Sequence, residues 1–438
     1  MIQKYIITLL FLFQLLIEIN CQTSPYIHKQ RQGHTATLLD NKLYILGGDD
    51  GGKDFFYIDF SAPFNTQNLL IEDLSSVNTI PERSNAVSAK GGANNNTLFI
   101  CGGGEGEMVY TFNPQNNLWI IPKIAGQVPP PPSLYNTTGI IDYNGIMYFW
   151  DGIGSNMIIL DTIKLIWKKG SSLGAPNNGH GSAATLLPDN KIIYMGGALD
   201  KSTLMNQVYI YDTVNDNWST KITSGTVPST RYGLSAVLGL DGQRVIVFGG
   251  FENTVTSNLS SQNQLYELSL INFEWRIPKT SGQTPSYRAF HSANVIKDYM
   301  VITFGSFSST ENDVLLLRIN NYDEYIWTNE FNPSSNMPTA SMPPSSLPTI
   351  SSQLLMQQSD SGTNLKIVGI IFGSLVGLAL LYFIVLWTCR KRNNNKQGPS
   401  DNENIHNHGR EITEEGNYSR NIQNYYNNDH HGVGVVIM

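Results

Sequence analysis

Short apolar runs that end in paired glycines recur along the first three quarters of the chain. In residues 190–218, the apolar run 192–195 leads into Gly196-Gly197, and a polar loop, an alternating segment, a turn and Trp218 follow. β-branched and aromatic residues favour strands, and paired glycines allow positive φ or close backbone approach. The pattern predicts two strands and the start of a third. Such a unit buries only one face, so it needs neighbours of the same kind.

The unit recurs at a period of about fifty residues. Its strand and glycine segments are KLYILGG (42–48), TLFICGG (97–103), IMYFWDG (146–152), KIIYMGG (191–197), RVIVFGG (244–250) and MVITFGS (300–306). A tryptophan follows five of them, at Trp119, Trp167, Trp218, Trp275 and Trp327, whereas Leu69 or Leu70 is expected at that position in the first copy. Strands such as RQGHTATLL and RAFHSANVI precede the copies.

Because these features recur together in register, the chain resembles the kelch-repeat β-propeller family over about residues 24–330. The resemblance implies an all-β fold, a six-bladed kelch-type β-propeller in residues 22–330, with loops gathered on two faces around a central channel. Copy three carries Asp151-Gly152 and copy six Gly305-Ser306 in place of the glycine pair. Weak repeats are ordinary in such arrays, and five or seven blades stay as alternatives.

The two ends of the chain predict a single-pass membrane protein. Residues 1–21 combine Lys4, an apolar stretch and a short polar end, which is typical of a signal peptide; an uncleaved anchor is the alternative. Residues 331–364 form a predicted Ser/Pro/Thr-rich stalk, 365–389 a transmembrane α-helix and 390–438 a disordered cytoplasmic tail. Basic residues 390–392 place the N-terminus outside or in the lumen, at the plasma membrane or another secretory-pathway membrane.

Several residues are candidates for modification or helix packing. The sequons Asn95, Asn136, Asn217 and Asn258 are glycosylation candidates, and Cys389 beside the basic cluster is a palmitoylation candidate. Within the predicted membrane helix, which contacts lipid, Gly369, Gly373 and Gly377 repeat every four residues and predict a homodimer contact. Glycine is common in membrane helices, so plain composition is the alternative. Cys101 is expected to be a small buried hydrophobe.

Charge excludes one class of partner. Residues 22–365 contain 20 Lys and Arg against 28 Asp and Glu, without the basic stripe that a nucleic acid requires. Five acidic residues lie at or just beyond the glycine pairs of copies one to three: Asp49, Asp50, Glu105, Glu107 and Asp151. They predict either a rim that binds Ca²⁺ or a basic partner, or a solvated edge.

Catalysis is not expected. Galactose oxidase is built on kelch-type blades, but its copper site needs two tyrosines, two histidines and a cysteine cross-linked to one tyrosine. We expect His34, His180 and His291 to share one inner-strand position of their repeats, which indicates blade architecture rather than one asymmetric site. Motifs of Ser hydrolases, zinc peptidases and phosphate loops are missing from the sequence. The sequence therefore predicts no catalytic residue, no metal site and no cofactor.

The predicted function is non-enzymatic recognition at the cell surface, as an adhesin or receptor for a protein or carbohydrate ligand. Binding is expected through propeller loops, of which the longest are 127–135, 198–207 and 251–264. Two alternatives remain: an enzyme on the secreted side related to the sugar oxidases, and a structural or sorting protein of the secretory pathway or cell wall.

Overall fold

The fold is an all-β propeller of six blades. The computed structural model describes residues 29–49, 52–127, 138–150, 157–176, 180–198, 205–252, 264–306 and 314–334. The helical structure within these ranges is a single turn of 3₁₀-helix, Ser75–Val77. Among the described residues, therefore, none of the helical structure is long and apolar enough to cross a membrane.

Each blade is a sheet whose four main strands are antiparallel and follow one another in chain order from the channel outward. The strands of blades 1 to 3 are Thr35–Leu39, Lys42–Leu46, Phe55–Asp59 and Ile71–Asp73; Val87–Gly91, Thr97–Cys101, Val109–Asn113 and Leu118–Ile120; Ile140–Ile141, Ile146–Trp150, Met157–Asp161 and Ile166–Gly170. Those of blades 4 to 6 are His180–Leu186, Lys191–Ala198, Gln207–Asp212 and Asn217–Ile222; Ser235–Leu238, Arg244–Phe248, Leu265–Ser269 and Glu274–Arg276; Ser292–Ile296, Tyr299–Thr303, Val314–Arg318 and Tyr325–Thr328.

The innermost strands form a closed ring. Each one contacts the inner strands of both neighbouring blades, including the inner strand of blade 6 against that of blade 1. They enclose a central channel of about 540 Å³, lined by residues such as Ala36, Leu38, Ser88, Ala236 and Val295. The closed ring leaves few sheet edges open, which is how a propeller buries repeats that cannot stand alone.

Six hydrophobic cores hold the ring together, one between each pair of neighbouring blades. In the second strand of blade 1, Leu43 and Ile45 pack against blade 6, whereas Tyr44 and Leu46 pack against blade 2. Successive side chains of a strand point to opposite faces, so both faces of the blade are buried. This burial explains why these strands are continuous apolar runs rather than alternating ones.

A short strand after blade 6 closes the ring onto blade 1. Glu330–Phe331 pairs with Phe64–Asn65, and the ring of Phe331 packs against Phe60, Phe64 and Tyr299 at centroid distances of 4.9, 5.2 and 5.1 Å. Chain segments that leave blades 4 and 5 pair in parallel with the outer strands of the following blades; these segments are Ser224–Gly225 and Thr280–Ser281. The remaining short pair joins Arg231–Tyr232 to Phe251–Glu252.

The repeat pattern predicted the blades, with three corrections in register. In blade 6, Phe304-Gly305 and not Gly305-Ser306 takes the place of the glycine pair, since the Gly305 N–H donates to the Arg31 carbonyl as that of Gly48 does to Arg83. All five tryptophans lie on outermost strands, as expected. In blade 1 the equivalent position belongs to Ile71, which pairs with Ile58, so the expectation of Leu69 or Leu70 was wrong. His180 was also misplaced: it pairs with Ala198, two residues before Ser182 pairs with Gly196. Ser182 therefore occupies the position of His34 and His291: GHGSAATLL and RQGHTATLL are equally long and align without a gap, so His180 falls at the position of Gln32.

Several predicted segments lie outside the described residues. They are the signal peptide 1–21, most of the stalk 331–364, the membrane helix 365–389 and the tail 390–438. Cys389, Gly369, Gly373 and Gly377 fall within them. The topology, the palmitoylation site and the homodimer contact stay predictions.

Candidate functional site

The two ends of the channel differ in their connections. At one end, here called the turn face, tight turns such as 40–41 and 213–216 join the strands. At the other end, the loop face, lie the connections between second and third strands and those that lead into the next blade. The three loops predicted to bind, 127–135, 198–207 and 251–264, join strands at the loop face and fall mostly outside the described residues.

Four buried arginines support the loop face from within. Each lies four residues before its inner strand, and its Nη1 donates to a carbonyl at the end of the second strand of the same blade. The pairs are Arg31 with Gly47 (3.1 Å), Arg83 with Gly102 (3.0 Å), Arg231 with Gly249 (3.2 Å) and Arg288 with Phe304 (3.1 Å). A hydrogen bond from a charged donor is strong, so each arginine fixes the loop that follows the strand.

In blades 1, 5 and 6, a glycine after the second strand connects the blade to the next through the same arginines. The backbone N–H groups of Gly48, Gly250 and Gly305 donate to the carbonyls of Arg83, Arg288 and Arg31, at 2.8, 3.0 and 2.8 Å. The approach is close: a Cβ on Gly249 would lie 2.2 Å from the Arg288 carbonyl oxygen. At Gly249 an added side chain would push blades 5 and 6 apart, whereas blade 6 accommodates Phe304 at the equivalent position with φ 47°.

A second ring of backbone bonds surrounds the channel opening on the loop face. Its members all have positive φ: Gly33, Asn85, Gly181, Gly233 and Phe290. Four of the five donate an N–H to the carbonyl of another member, in the pairs Asn85 to Gly33, Gly33 to Phe290, Phe290 to Gly233 and Gly233 to Gly181. Phe290 is a bulky residue held at φ 54°, a conformation that costs about 1–3 kcal/mol. We call this opening the mouth.

One side of the mouth is polar. The side-chain amide of Gln32 donates to Asp49 at 3.1 Å, and the Ser84 hydroxyl donates to the other oxygen of Asp49. Asn85 in turn donates to the Ser84 hydroxyl oxygen at 3.2 Å. These four residues are the polar side, and Asp49 is exposed at its centre. The network joins blade 1 to blade 2 and holds one carboxylate in a defined position.

The other side of the mouth is aromatic. Tyr232, Phe251, Tyr287 and Phe290 form a cluster with ring centroids 5.2–5.8 Å apart and interplanar angles of 33–61°. All four rings are only partly buried, so the cluster presents an apolar surface. The Tyr287 hydroxyl is buried without a hydrogen-bond partner among the described residues, and burial raises its pKa. This aromatic side lies on blades 5 and 6.

Two histidines below the mouth are structural. His34 Nε2 lies 3.0 Å from the Thr303 hydroxyl, and His291 Nε2 lies 2.8 Å from the Ser235 hydroxyl, so each joins two blades. Burial above all lowers the pKa of each histidine to about 3, with Arg288 adding to the effect on both. Among the described residues, no group of three or more His, Cys, Asp or Glu side chains is arranged to hold a metal ion.

A family model matches most of the chain. The model of the KLHDC2/KLHL20/DRC7 Kelch-repeats domain aligns with residues 33–237 and again with 179–347. Together these matches span the whole propeller. The chain belongs to the kelch-repeat family. Kelch propellers commonly bind proteins.

Known kelch proteins are similar to parts of this chain. Kelch domain-containing protein 3 of Bos taurus is 32% identical over 147 residues, which cover 32% of this chain and 37% of that protein. Host cell factor 2 of Homo sapiens is 26% identical over 238 residues, 48% of this chain and 29% of that protein. The chain thus spans less than two fifths of these relatives. The solved structure of YjhT has a TM-score of 0.54 and 15% identity, covering 70% of this chain and 99% of that one; it supports the fold alone.

Two of the four predicted glycosylation sites of this kelch propeller lie within the described residues. Asn95 and Asn217 are exposed at the turn face, whereas Asn136 and Asn258 lie outside the described residues. Around Asn217 the alternation of the strand buries Trp218 but exposes Ser219, so the whole acceptor motif faces solvent apart from its middle residue. Glycosylation at all four stays a prediction.

Cys101 is fully buried, as expected of a small hydrophobe, and burial raises the pKa of its thiol to about 12. Of the predicted acidic rim, Asp49, Glu105 and Glu107 are exposed on the loop face of blades 1 and 2. Asp50 and Asp151 lie outside the described residues. The rim therefore adjoins the polar side of the mouth.

The sequence contained a signal for the arginines but not for the aromatic side. An arginine recurs four residues before the inner strand in RQGH, RSNA, RYGL and RAFH, a repeat that is visible once the blades are in register. The four aromatic residues come from two connections between blades and one loop. Only the closed ring brings them together.

Proposed function

We propose that this protein is a non-enzymatic recognition protein of the cell surface, which binds a protein partner through the loop face of its propeller. The observation that carries the proposal is the mouth. A polar side with one fixed carboxylate and an aromatic side share one opening, on a ring stiffened by buried arginines and backbone bonds. Rigid scaffolds that display polar and aromatic residues together are typical of binding surfaces.

The buried parts of the mouth favour binding over catalysis. The histidines beneath it make hydrogen bonds between blades and are held neutral by burial, so their side chains are not available as an acid and base pair. Asp49 receives hydrogen bonds from Gln32 and Ser84, an arrangement that suits an acceptor for a bound donor. An adhesin or receptor needs such a binding surface and needs no catalytic residues.

Surface display is part of the proposal. It rests on the signal peptide 1–21, the uncharged segment 367–389 and the basic residues 390–392. The chain leaves the propeller at Phe331, beside Tyr299 and Phe60, close to the turn face.

A carbohydrate ligand is the second candidate. Exposed Asp49, the amides of the polar side and the aromatic rings together offer the hydrogen bonds and apolar contacts that sugars use. The tilted packing of the rings, with interplanar angles of 33–61°, favours a cleft for a side chain over a flat stacking platform. A protein partner therefore remains the first proposal.

The test of display uses intact cells that express the full chain. An antibody against the propeller is expected to label them without permeabilisation, and one against residues 397–438 only after it. Labelling by both antibodies only after permeabilisation contradicts surface display.

The test of the binding face uses an added glycan as a shield. Glu105→Asn with Glu107→Thr creates a sequon on the loop face, and Asn217→Thr creates one at Asn215 on the turn face while removing the natural sequon. The loop-face variant is expected to capture no partner from a mixture of surface-exposed proteins. The turn-face variant is expected to capture the partner as the unmodified protein does. The reverse result overturns the proposal.

A further inference from the structure

The described charges of the loop face point to the chemistry of the partner. Exposed carboxylates there, Asp49, Glu82, Glu105, Glu107 and Glu252, outnumber the exposed Lys29 and Lys53. The four arginines of the loop face are buried and donate inward to carbonyls, so they add little positive charge to the surface. Complementary potential favours a basic partner.

The polar and aromatic sides of the mouth adjoin each other. The Gly33 N–H donates to the Phe290 carbonyl at 3.2 Å, and the neighbouring Gln32 holds Asp49. A carboxylate next to partly exposed rings is a good site for an ammonium or guanidinium, because the cation is attracted to the carboxylate and to the ring faces. The rings also offer a place for the apolar side chain that precedes or follows the cation.

Resting on the proposed function, we infer that the mouth binds an extended segment of the partner in which Lys or Arg lies next to an aromatic or large aliphatic residue. The cation contacts Asp49, and the apolar side chain packs among Tyr232, Phe251 and Phe290. The Tyr287 ring packs against Phe251 at a centroid distance of 5.2 Å and supports this apolar surface from below. The inference assigns the two sides of the mouth to two adjacent residues of the peptide.

Backbone geometry supports a preformed site. The Phe290 ring lies over Gly233, where an added Cβ would come within 2.8 Å of its Cδ1, so the ring cannot shift towards blade 5. Tyr232 and Phe251 are held by the short strand pair between Arg231–Tyr232 and Phe251–Glu252. A preformed cluster avoids part of the ordering cost of binding.

The experiment selects a random twelve-residue peptide library on the full-length chain in detergent micelles. The enriched peptides are expected to carry Lys or Arg adjacent to an aromatic or aliphatic residue. Affinity of one enriched peptide is then measured for Asp49→Asn and Phe251→Ala, with Glu72→Gln and Tyr143→Ala as controls. Glu72 and Tyr143 are exposed away from the mouth, and both pairs make matched changes.

Both mouth variants are expected to lower the affinity for the peptide about tenfold or more, and both controls are expected to change this affinity by no more than about twofold. Peptides that are acidic, lack a consensus or are indifferent to the mouth variants overturn the inference, as does glycan-array binding that Phe251→Ala abolishes. Thermal unfolding of each variant separates lost binding from lost fold. The glycan-shield test answers a different question. If a glycan on the loop face blocks partner binding but Asp49→Asn does not change it, this inference is wrong and the proposed function is still supported.

Discussion

Single glycines decide how closely neighbouring blades approach at the loop face. At Gly249 the φ of +68° and the 2.2 Å distance from an added Cβ to the Arg288 carbonyl oxygen act together. At Gly242 the φ is almost the same, +67°, but the nearest atom to an added Cβ is Pro188 Cγ at 3.2 Å. The two positions therefore separate backbone strain from the contact between blades.

Gly249→Ala is predicted to lower the free energy of unfolding by about 3 kcal/mol or more, since it adds a clash to the cost of a left-handed residue. Gly242→Ala is predicted to cost about 1 kcal/mol, the strain alone. Urea unfolding monitored by tryptophan fluorescence measures both. Equal costs at the two positions contradict the role given to the glycine pairs.

The buried histidines make stability depend on acidity. Folding lowers the pKa of His34 and His291 from 6.5 to about 3, so between these values the unfolded chain binds protons that the folded chain does not. Stability from these groups is complete above pH 6.5 and is lost as the pH falls towards 3. The expected slope is about 1.4 kcal/mol per pH unit for each histidine.

Replacing His34 and His291 with leucine, the residue that blade 5 has at this position, is predicted to flatten the loss of stability between pH 6.5 and 5. The double variant is expected to be less stable at pH 7, because the hydroxyls of Thr303 and Ser235 lose their hydrogen bonds to the histidines. Urea titrations at several pH values measure the slope. An unchanged slope shows that other groups control the acid response.

At the scale of elements, we expect the closing strand Glu330–Phe331 to contribute strongly to the stability of the closed ring. Phe331 is 1% exposed, among Phe60, Phe64 and Tyr299, whereas its neighbour Glu330 is exposed and accepts one hydrogen bond from Asn65 at 2.6 Å. The two residues share one strand and differ only in the face they occupy.

Phe331→Ala is predicted to destabilise the propeller by about 3–5 kcal/mol, the usual cost of removing a buried phenyl ring. Glu330→Ala is predicted to change stability by no more than about 0.5 kcal/mol, as for most surface positions. Thermal and urea unfolding of the two variants measure these changes in stability. If both changes are mild, the ring is closed by the inner strands and the core between blades 6 and 1 without this strand.

Elements were the level at which the sequence was most informative. The glycine pairs and tryptophans repeat in register, so blade positions and the outermost strands follow from periodicity. The closing strand had no such repeat, because Phe64–Asn65 belongs to an insertion found in blade 1 alone among the blades described. The His180 register failed for a different reason: the Gly-His pair of GHGS resembles that of GHTA, although the full segments align without a gap only when Ser182 takes the place of His34.

The mouth could not be predicted from the sequence, for a physical reason. Asp49 was noted in an acidic rim, but its partners Gln32 and Ser84 come from two different blades. The aromatic side combines residues that are separated by up to 58 positions, from Tyr232 to Phe290, and that meet only after the blades close. Periodicity describes what the blades share, whereas a binding surface depends on how they differ.

At the scale of the whole molecule, the propeller presents two unlike surfaces. The turn face carries exposed Asn95 and Asn217 and lies near the point where the chain leaves the ring. The loop face carries the mouth, the acidic rim and the long connections. We therefore propose that recognition takes place on the loop face and not on the turn face.

Site-specific photo-cross-linking tests this assignment most directly. A photoreactive amino acid replaces Glu82, exposed on the loop face, or Val214, 76% exposed on the turn face, in full-length protein on living cells. The account predicts one reproducible cross-linked protein from position 82, absent from position 214 and lost when Asp49→Asn and Phe251→Ala are combined with it. A partner captured from position 214 and not from position 82 contradicts the account.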